Sequence, residues 1–122
     1  MSAPETPVPA VGVIEVIPFA LDETCPLPLA TAEAWLSDEE RTRADRFRFP
    51  HLRERYLRGR GVMRGVLGRM LDRHPAELEI AEGAHGKPCL VGDDTGFNLS
   101  HSDARAVLAV GRVRGIGIDV ER

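Results

Sequence analysis

Apolar positions along the chain fall into three regimes, each with its own period. Val11, Val13, Ile14, Val16 and Ile17 crowd one short stretch, which predicts a first strand over residues 11–19, ended by Pro18 and a loop holding Pro26 and Pro28. Ser37 followed by Glu40 forms a capping box: the hydroxyl accepts from the Glu40 amide while the Glu40 carboxylate reaches back. A short helix to about residue 47 follows, with Trp35 and Leu36 placed as staple residues. Beyond Pro50, apolar residues Leu52, Tyr56, Met63, Val66, Leu67, Met70 and Leu71 recur at helical spacing, predicting a long helix over 51–73 that stops at His74 and Pro75. Gly59, Gly61, Gly65 and Gly68 lie inside it. Each costs about 1 kcal/mol relative to alanine, so the pattern predicts something packed very close to that backbone.

From residue 78 the pattern shortens to strands over 78–81, 87–91, 97–101, 106–113 and 116–121, with a turn at 93–96. Helices first and short strands afterwards predict an α+β lobe, and no internal repeat is visible. Its expected limits are a flexible tail over 1–10, rich in Pro4, Pro7 and Pro9, a lobe over 11–114 and a separate strand over 115–122.

Composition narrows the class. At 122 residues, with 43% apolar and 29% charged side chains, the chain suits one globular domain and excludes wholesale disorder. No stretch approaches 18 uninterrupted apolar residues and the N-terminus lacks a basic segment followed by an apolar core, so a cytoplasmic protein without a membrane partner is expected. Cys25 and Cys89 have neither a metal-ligand nor a CxxC spacing.

The net charge of −3 conceals segregation. Residues 1–40 hold eight acidic and no basic side chains, whereas residues 41–73 hold eleven arginines against Asp45, Glu54 and Asp72, a local charge of +8. Such a block suits a phosphate-bearing small ligand, nucleic acid or an acidic protein surface, and equally a solvated helix face. Without a recognised binding motif or a basic overall balance, a nucleic-acid module is the weakest of these.

Three constellations could carry chemistry. Lys87, the only lysine among fifteen arginines, sits between Gly86 and Pro88, where a compact ammonium in a rigid turn suits a phosphate; a Gly-Lys-Pro turn is also often only a turn. In the run from Phe97 to Ser102, alternation predicts Phe97 and Leu99 on one face, Asn98 and Ser100 on the other, and His101 and Ser102 opening a turn with donors for an anion. A Ser–His–Asp triad from Ser100 or Ser102, His101 and Asp103 is discounted, because adjacent residues rarely reach the required geometry. Finally, Asp119 and Glu121 stand two apart in an apolar run. On a strand they share a face, roughly 6 to 7 Å apart, and can share one hard cation such as Mg²⁺; a strand running out into solvent fits the same spacing.

Taken in order, Gly86-Lys-Pro88, the run Phe97-Asn-Leu-Ser-His-Ser102 and Gly117-Ile-Asp-Val-Glu121, behind the basic segment containing Arg41, Arg43, Arg46 and Phe47, resemble the 4′-phosphopantetheinyl transferases of the surfactin-synthetase-activating type, over roughly residues 37–122. The resemblance implies the N-terminal lobe of a two-lobed fold, helices packed on a small, mainly antiparallel sheet. It implies a Mg²⁺-dependent enzyme that moves phosphopantetheine from coenzyme A to a serine of an acyl or peptidyl carrier protein, releasing adenosine 3′,5′-bisphosphate. By motif match, Asp119 and Glu121 would be metal ligands and, with His101, catalytic; Asp119 would also contact coenzyme A. Lys87, Ser100 and His101 would bind coenzyme A phosphates, Gly86 and Pro88 would shape the adjoining loop, and Arg43 and Arg55 would reach the 3′-phosphate.

The family's second lobe, with its Trp-x-x-Lys-Glu helix, is absent from these residues. The expectation is therefore a truncated chain, inactive alone, that pairs with a complementary second lobe or self-associates through an exposed flank. A non-catalytic lobe binding coenzyme A or a carrier protein is the alternative.

Overall fold

The computed structural model describes residues 14–82, 87–93 and 95–111. Strand β1 (Ile14–Ala20) is followed by helices α1 (Leu29–Trp35), α2 (Asp38–Ala44) and α3 (Pro50–Leu71), a 3₁₀ turn at Pro75–Glu77, and strands β2 (Ile80–Glu82), β3 (Pro88–Leu90), β4 (Gly96–Ser102) and β5 (Arg105–Gly111). The class is α+β, as the pattern predicts. Among the described residues β1, β5 and β4 form a three-stranded antiparallel sheet with β5 central, and β2 pairs with β3 in a separate antiparallel hairpin.

Several boundaries differ from the sequence expectation. Pro18 does not end β1; it pairs in register with Val107, because β1 is an edge strand and a missing N–H is tolerated there. The supposed loop after Pro28 folds into α1, and Trp35 closes that helix instead of stapling the next. Helix α2 is shorter than expected, stopping at Ala44, while its capping box forms as read: Glu40 N donates to Ser37 Oγ at 3.2 Å and Ser37 N to Glu40 Oε1 at 2.9 Å. Pro50 starts α3 at its first position, where its absent N–H costs nothing. That helix ends before His74, on Asp72 in the left-handed conformation (φ 56°), with Arg73 N donating to Gly68 O at 2.8 Å.

The glycines of α3 answer the expectation of a close neighbour. A Cβ at Gly61 would stand 2.5 Å from Ala32 Cβ, and one at Gly65 would stand 3.0 Å from the Trp35 ring. Helix α1 therefore lies directly on the α3 backbone. On its other flank α3 contributes Val62, Met63, Leu67 and Met70 to the main core, which they share with Phe19, Phe97, Leu108 and Val110 of the sheet. Leu36, Ala44 and Leu57 form a smaller core beneath α2. In β1, Ile14 and Val16 are exposed. No helix among the described residues is long and apolar enough to cross a membrane.

Candidate functional site

Five of the eleven arginines in the basic block, Arg43, Arg53, Arg58, Arg60 and Arg64, are ion-paired with carboxylates of the chain itself. Glu40 is only 5% exposed and Arg64 only 1%. Glu40 Oε1 accepts from Arg64 Nε at 2.8 Å, and its Oε2 accepts from Arg60 Nε at 3.0 Å. Arg64 Nη1 also donates to the carbonyls of Pro75 (2.9 Å) and Leu78 (3.0 Å), so one guanidinium ties α2, α3 and the segment leading into β2 together. Burying two such charges is tolerable because they pair with each other and because both Glu40 oxygens and the Nε and Nη1 protons of Arg64 are hydrogen-bonded.

Elsewhere Arg53 bridges Glu33 and Asp45, and these carboxylates, Asp45 foremost, hold its guanidinium above its already high ordinary pKa. Arg41 caps the carbonyls of Glu33 and Ala34, and Arg58 donates to Leu21 O. The acidic N-terminal third is thus partly the counter-ion of the basic middle third, a pairing that linear charge counting misses.

A cleft of about 700 Å³ opens between α2 and the β2–β3 hairpin. One wall carries Ser37, Asp38, Glu39, Thr42, Arg43 and Arg46; the other carries Glu79, Ile80, Ala81, Glu82 and Val91, with Glu40, Tyr56 and Arg60 also in the lining. Tyr56 packs at 5.6 Å between centroids on Phe47, and Arg60 lies 5.7 Å above its ring. Burial pushes the Tyr56 phenol above its ordinary value of 10. Arg43 Nη1 reaches across the cleft to Glu82 Oε2 at 2.5 Å, while Arg46 has no ion pair among the described residues.

The sequence-derived candidates divide into two groups. Arg43 meets Glu82, and Glu82 is the cross-strand partner of Pro88, so Arg43, Pro88 and the adjoining exposed Lys87 gather at the mouth of one hairpin. Arg55 and His101 belong to a different place. Helix α3 meets the sheet where a Cβ at Gly59 would lie 3.5 Å from Leu21 and 3.6 Å from Leu99. Leu21 N in turn bonds Ala104 O in the β4–β5 turn. Arg55 precedes Gly59 by one helical turn, and His101 follows Leu99 by two on the same strand face, so both lie toward that turn.

His101 and Ser102 do not open a turn. They are the last residues of β4, paired with Ala106 and Arg105, and the turn is made by Asp103 (φ 53°) and Ala104. Strand alternation puts Ser100 on the face opposite His101; His101 shares the face of buried Phe97 but is exposed near the end of the strand. Adjacent in sequence, the two cannot point at the same atom from the strand itself. Gly86, Asp119 and Glu121 lie outside the described residues, and among those described no three acidic, histidine or cysteine side chains gather as a metal site.

Sequence reasoning missed the Glu40–Arg60–Arg64 network and Glu82. Arg64 carried a readable signal: it falls three residues after Gly61 and three before Leu67, on the stripe that α3 buries, where an arginine must have partners.

Comparison with known proteins accounts for this arrangement. Residues 25–112 match the family model described as 4′-phosphopantetheinyl transferase, N-terminal. The chain is 45% identical over 93 residues to the 4′-phosphopantetheinyl transferase HetI of Nostoc sp., covering 72% of this chain and 39% of that protein. It is 39% identical over 94 residues to a phosphopantetheinyl transferase of Thraustochytrium sp., covering 75% of this chain and 33% of that one. With the 4′-phosphopantetheinyl transferase Sfp of Bacillus subtilis it shares 31% identity over 90 residues, 73% of this chain and 40% of Sfp. The matches thus span about two fifths or less of the length of these relatives. The capped α2, the glycine-lined α3 and the small antiparallel sheet are the N-terminal lobe of that fold, and the chain belongs to the 4′-phosphopantetheinyl transferase family.

Proposed function

We propose that this lobe holds coenzyme A for a Mg²⁺-dependent transfer of 4′-phosphopantetheine to a serine of an acyl or peptidyl carrier protein, in the cytoplasm. The observation that carries the reading is that Arg43 meets Glu82, the cross-strand partner of Pro88 next to Lys87, at one end of the β2–β3 hairpin, within the stretch matched to the family. Phosphoryl transfer asks for positioning and charge neutralisation more than for covalent chemistry, and fixed cations supply both.

In this reading the serine oxygen attacks phosphorus of the pantetheine phosphate and gives up its proton to solvent, the P–O bond to the nucleotide breaks, and adenosine 3′,5′-bisphosphate leaves. Lys87 holds a phosphate at the hairpin tip, with Gly86 and Pro88 fixing the backbone around it. Arg43 and Arg55 compete for the 3′-phosphate role, and their separation in the lobe favours Arg43 beside Lys87. Ser100 and His101 donate to phosphate oxygens from the two faces of β4, one hydroxyl and one ring N–H, and so meet different oxygens of the ligand.

The donor set assigned to Mg²⁺, the carboxylates of Asp119 and Glu121, matches that ion's preference for hard oxygen ligands. Asp119 would in addition lie against coenzyme A. Bound there, Mg²⁺ would neutralise charge on the pyrophosphate.

Calorimetry of the chain with coenzyme A, with and without Mg²⁺, tests the reading. Lys87→Ala and Arg43→Ala should each weaken binding by about tenfold or more, as expected for a charge-assisted bond worth about 1.5 to 3 kcal/mol. Unchanged affinity in both variants would refute the assignment.

A further inference from the structure

We infer that Glu82 is a built-in competitor for the phosphate-binding arginine, and so sets how strongly the site distinguishes a 3′-phosphorylated nucleotide from one without that phosphate. The inference rests on the coenzyme A reading above. It starts from the charge inventory of the cleft: Asp38, Glu39, Glu40, Glu79 and Glu82 stand against Arg43, Arg46 and Arg60. Arg60 is committed to Glu40, and Arg43 is held by Glu82 across the gap between α2 and β2. Among the described residues lining the cleft, an arriving anion therefore meets one guanidinium not engaged in an ion pair, that of Arg46, in an acidic surround.

The Arg43–Glu82 pair is built to be broken. Both side chains are 57% exposed, so the pair is solvated and screened, and it gives up little when it opens. A phosphate dianion carries twice the charge of a carboxylate and offers more acceptor oxygens, so it displaces Glu82 and leaves that carboxylate in water. By contrast Glu40, 5% exposed and hydrogen-bonded on both oxygens, cannot leave Arg60 and Arg64 without stranding a buried charge. The cleft thus has one fixed pair and one exchangeable pair. Glu82 is a specificity residue acting through Arg43, not a ligand contact.

The test is calorimetric titration of the full chain with adenosine 3′,5′-bisphosphate and with adenosine 5′-monophosphate. Glu82→Gln, an exposed and nearly isosteric change, should tighten the bisphosphate by about two- to fivefold, the equivalent of one exposed ion pair. It should leave the monophosphate unchanged, and the gain should vanish in an Arg43→Ala background. If Arg43→Ala weakens the bisphosphate but Glu82→Gln leaves it unchanged or weakens it, Glu82 is no competitor, and the coenzyme A reading survives. Equal tightening of both nucleotides would reduce the effect to a general loss of negative charge and overturn the proposal. Failure of the bisphosphate to bind the unsubstituted chain overturns the coenzyme A reading together with this one.

Discussion

Replacing Glu40 by alanine should be among the most damaging single changes at a charged position. The carboxylate neutralises Arg64, which is 1% exposed and cannot follow it into water, because its Nη1 is anchored on the carbonyls of Pro75 and Leu78. Removing one partner of such a pair leaves an uncompensated buried charge, at a cost of about 3 to 5 kcal/mol. A domain of this size has a total stability of about 5 to 15 kcal/mol, so the variant sits near the folding threshold. In urea, with a slope of about 2 kcal/mol per molar, the midpoint should fall by roughly 1.5 to 2.5 M. Arg64→Met alone should cost less, since Glu40 keeps Arg60 and the Ser37 amide. Combining Arg64→Met with Glu40→Ala should then be clearly less harmful than the sum of the two single changes, with a coupling of at least about 1 kcal/mol. A loss below about 1 kcal/mol for Glu40→Ala, or strict additivity in the cycle, would refute the network as described.

Helix α3 offers a paired comparison: Gly59→Ala adds a methyl at ordinary contact distance and should stabilise by up to about 1 kcal/mol through helix propensity. Gly61→Ala drives the same methyl to 2.5 Å from Ala32 Cβ and should destabilise by about 1 to 3 kcal/mol; thermal unfolding of the two variants should move in opposite directions. Ser37→Ala removes the hydroxyl that caps α2 and should lower stability by about 1 kcal/mol in denaturant unfolding. Tyr56 is the only tyrosine, so absorbance of the phenolate reports it alone, and its native midpoint should lie above 10 and return to 10 in denaturant. With the folded value raised, its contribution to stability is fully present below pH 10 and is lost as pH climbs through the folded value. A native midpoint at or below 10 would show the ring to be solvated.

What the sequence made legible was local. The capping box at Ser37 and Glu40, the long glycine-bearing helix and the strand run from Gly96 onward all obey rules that act within a few residues. The family motifs also stood in readable order. What stayed hidden depends on encounters between distant segments. Helix α1 carries no cap side chain and is held by Gly61 and Gly65 of α3, against Ala32 and Trp35 respectively. Glu40 looked like a capping residue and is also the anion for two arginines one turn apart on another helix, Arg60 and Arg64. Arg43 looked free for a ligand until the β2 register brought Glu82 to it. His101 and Ser102 read as the opening of a turn, and pairing with Ala106 and Arg105 keeps them in the strand instead.

The central place of β5 has a consequence during synthesis on the ribosome. Ile14 pairs with Gly111, so β1 leaves the exit tunnel nearly a hundred residues before the strand that completes its hydrogen bonds exists. At about 5 to 20 residues per second that interval lasts roughly 5 to 20 s, far longer than a helix needs to form. The nascent lobe therefore waits with α1, α2 and α3 able to assemble on their glycine contacts while an apolar strand dangles without a partner. Slowed translation between codons 20 and 105 would lengthen that wait, and co-expression of a chaperone that binds apolar strands should raise the yield of folded chain.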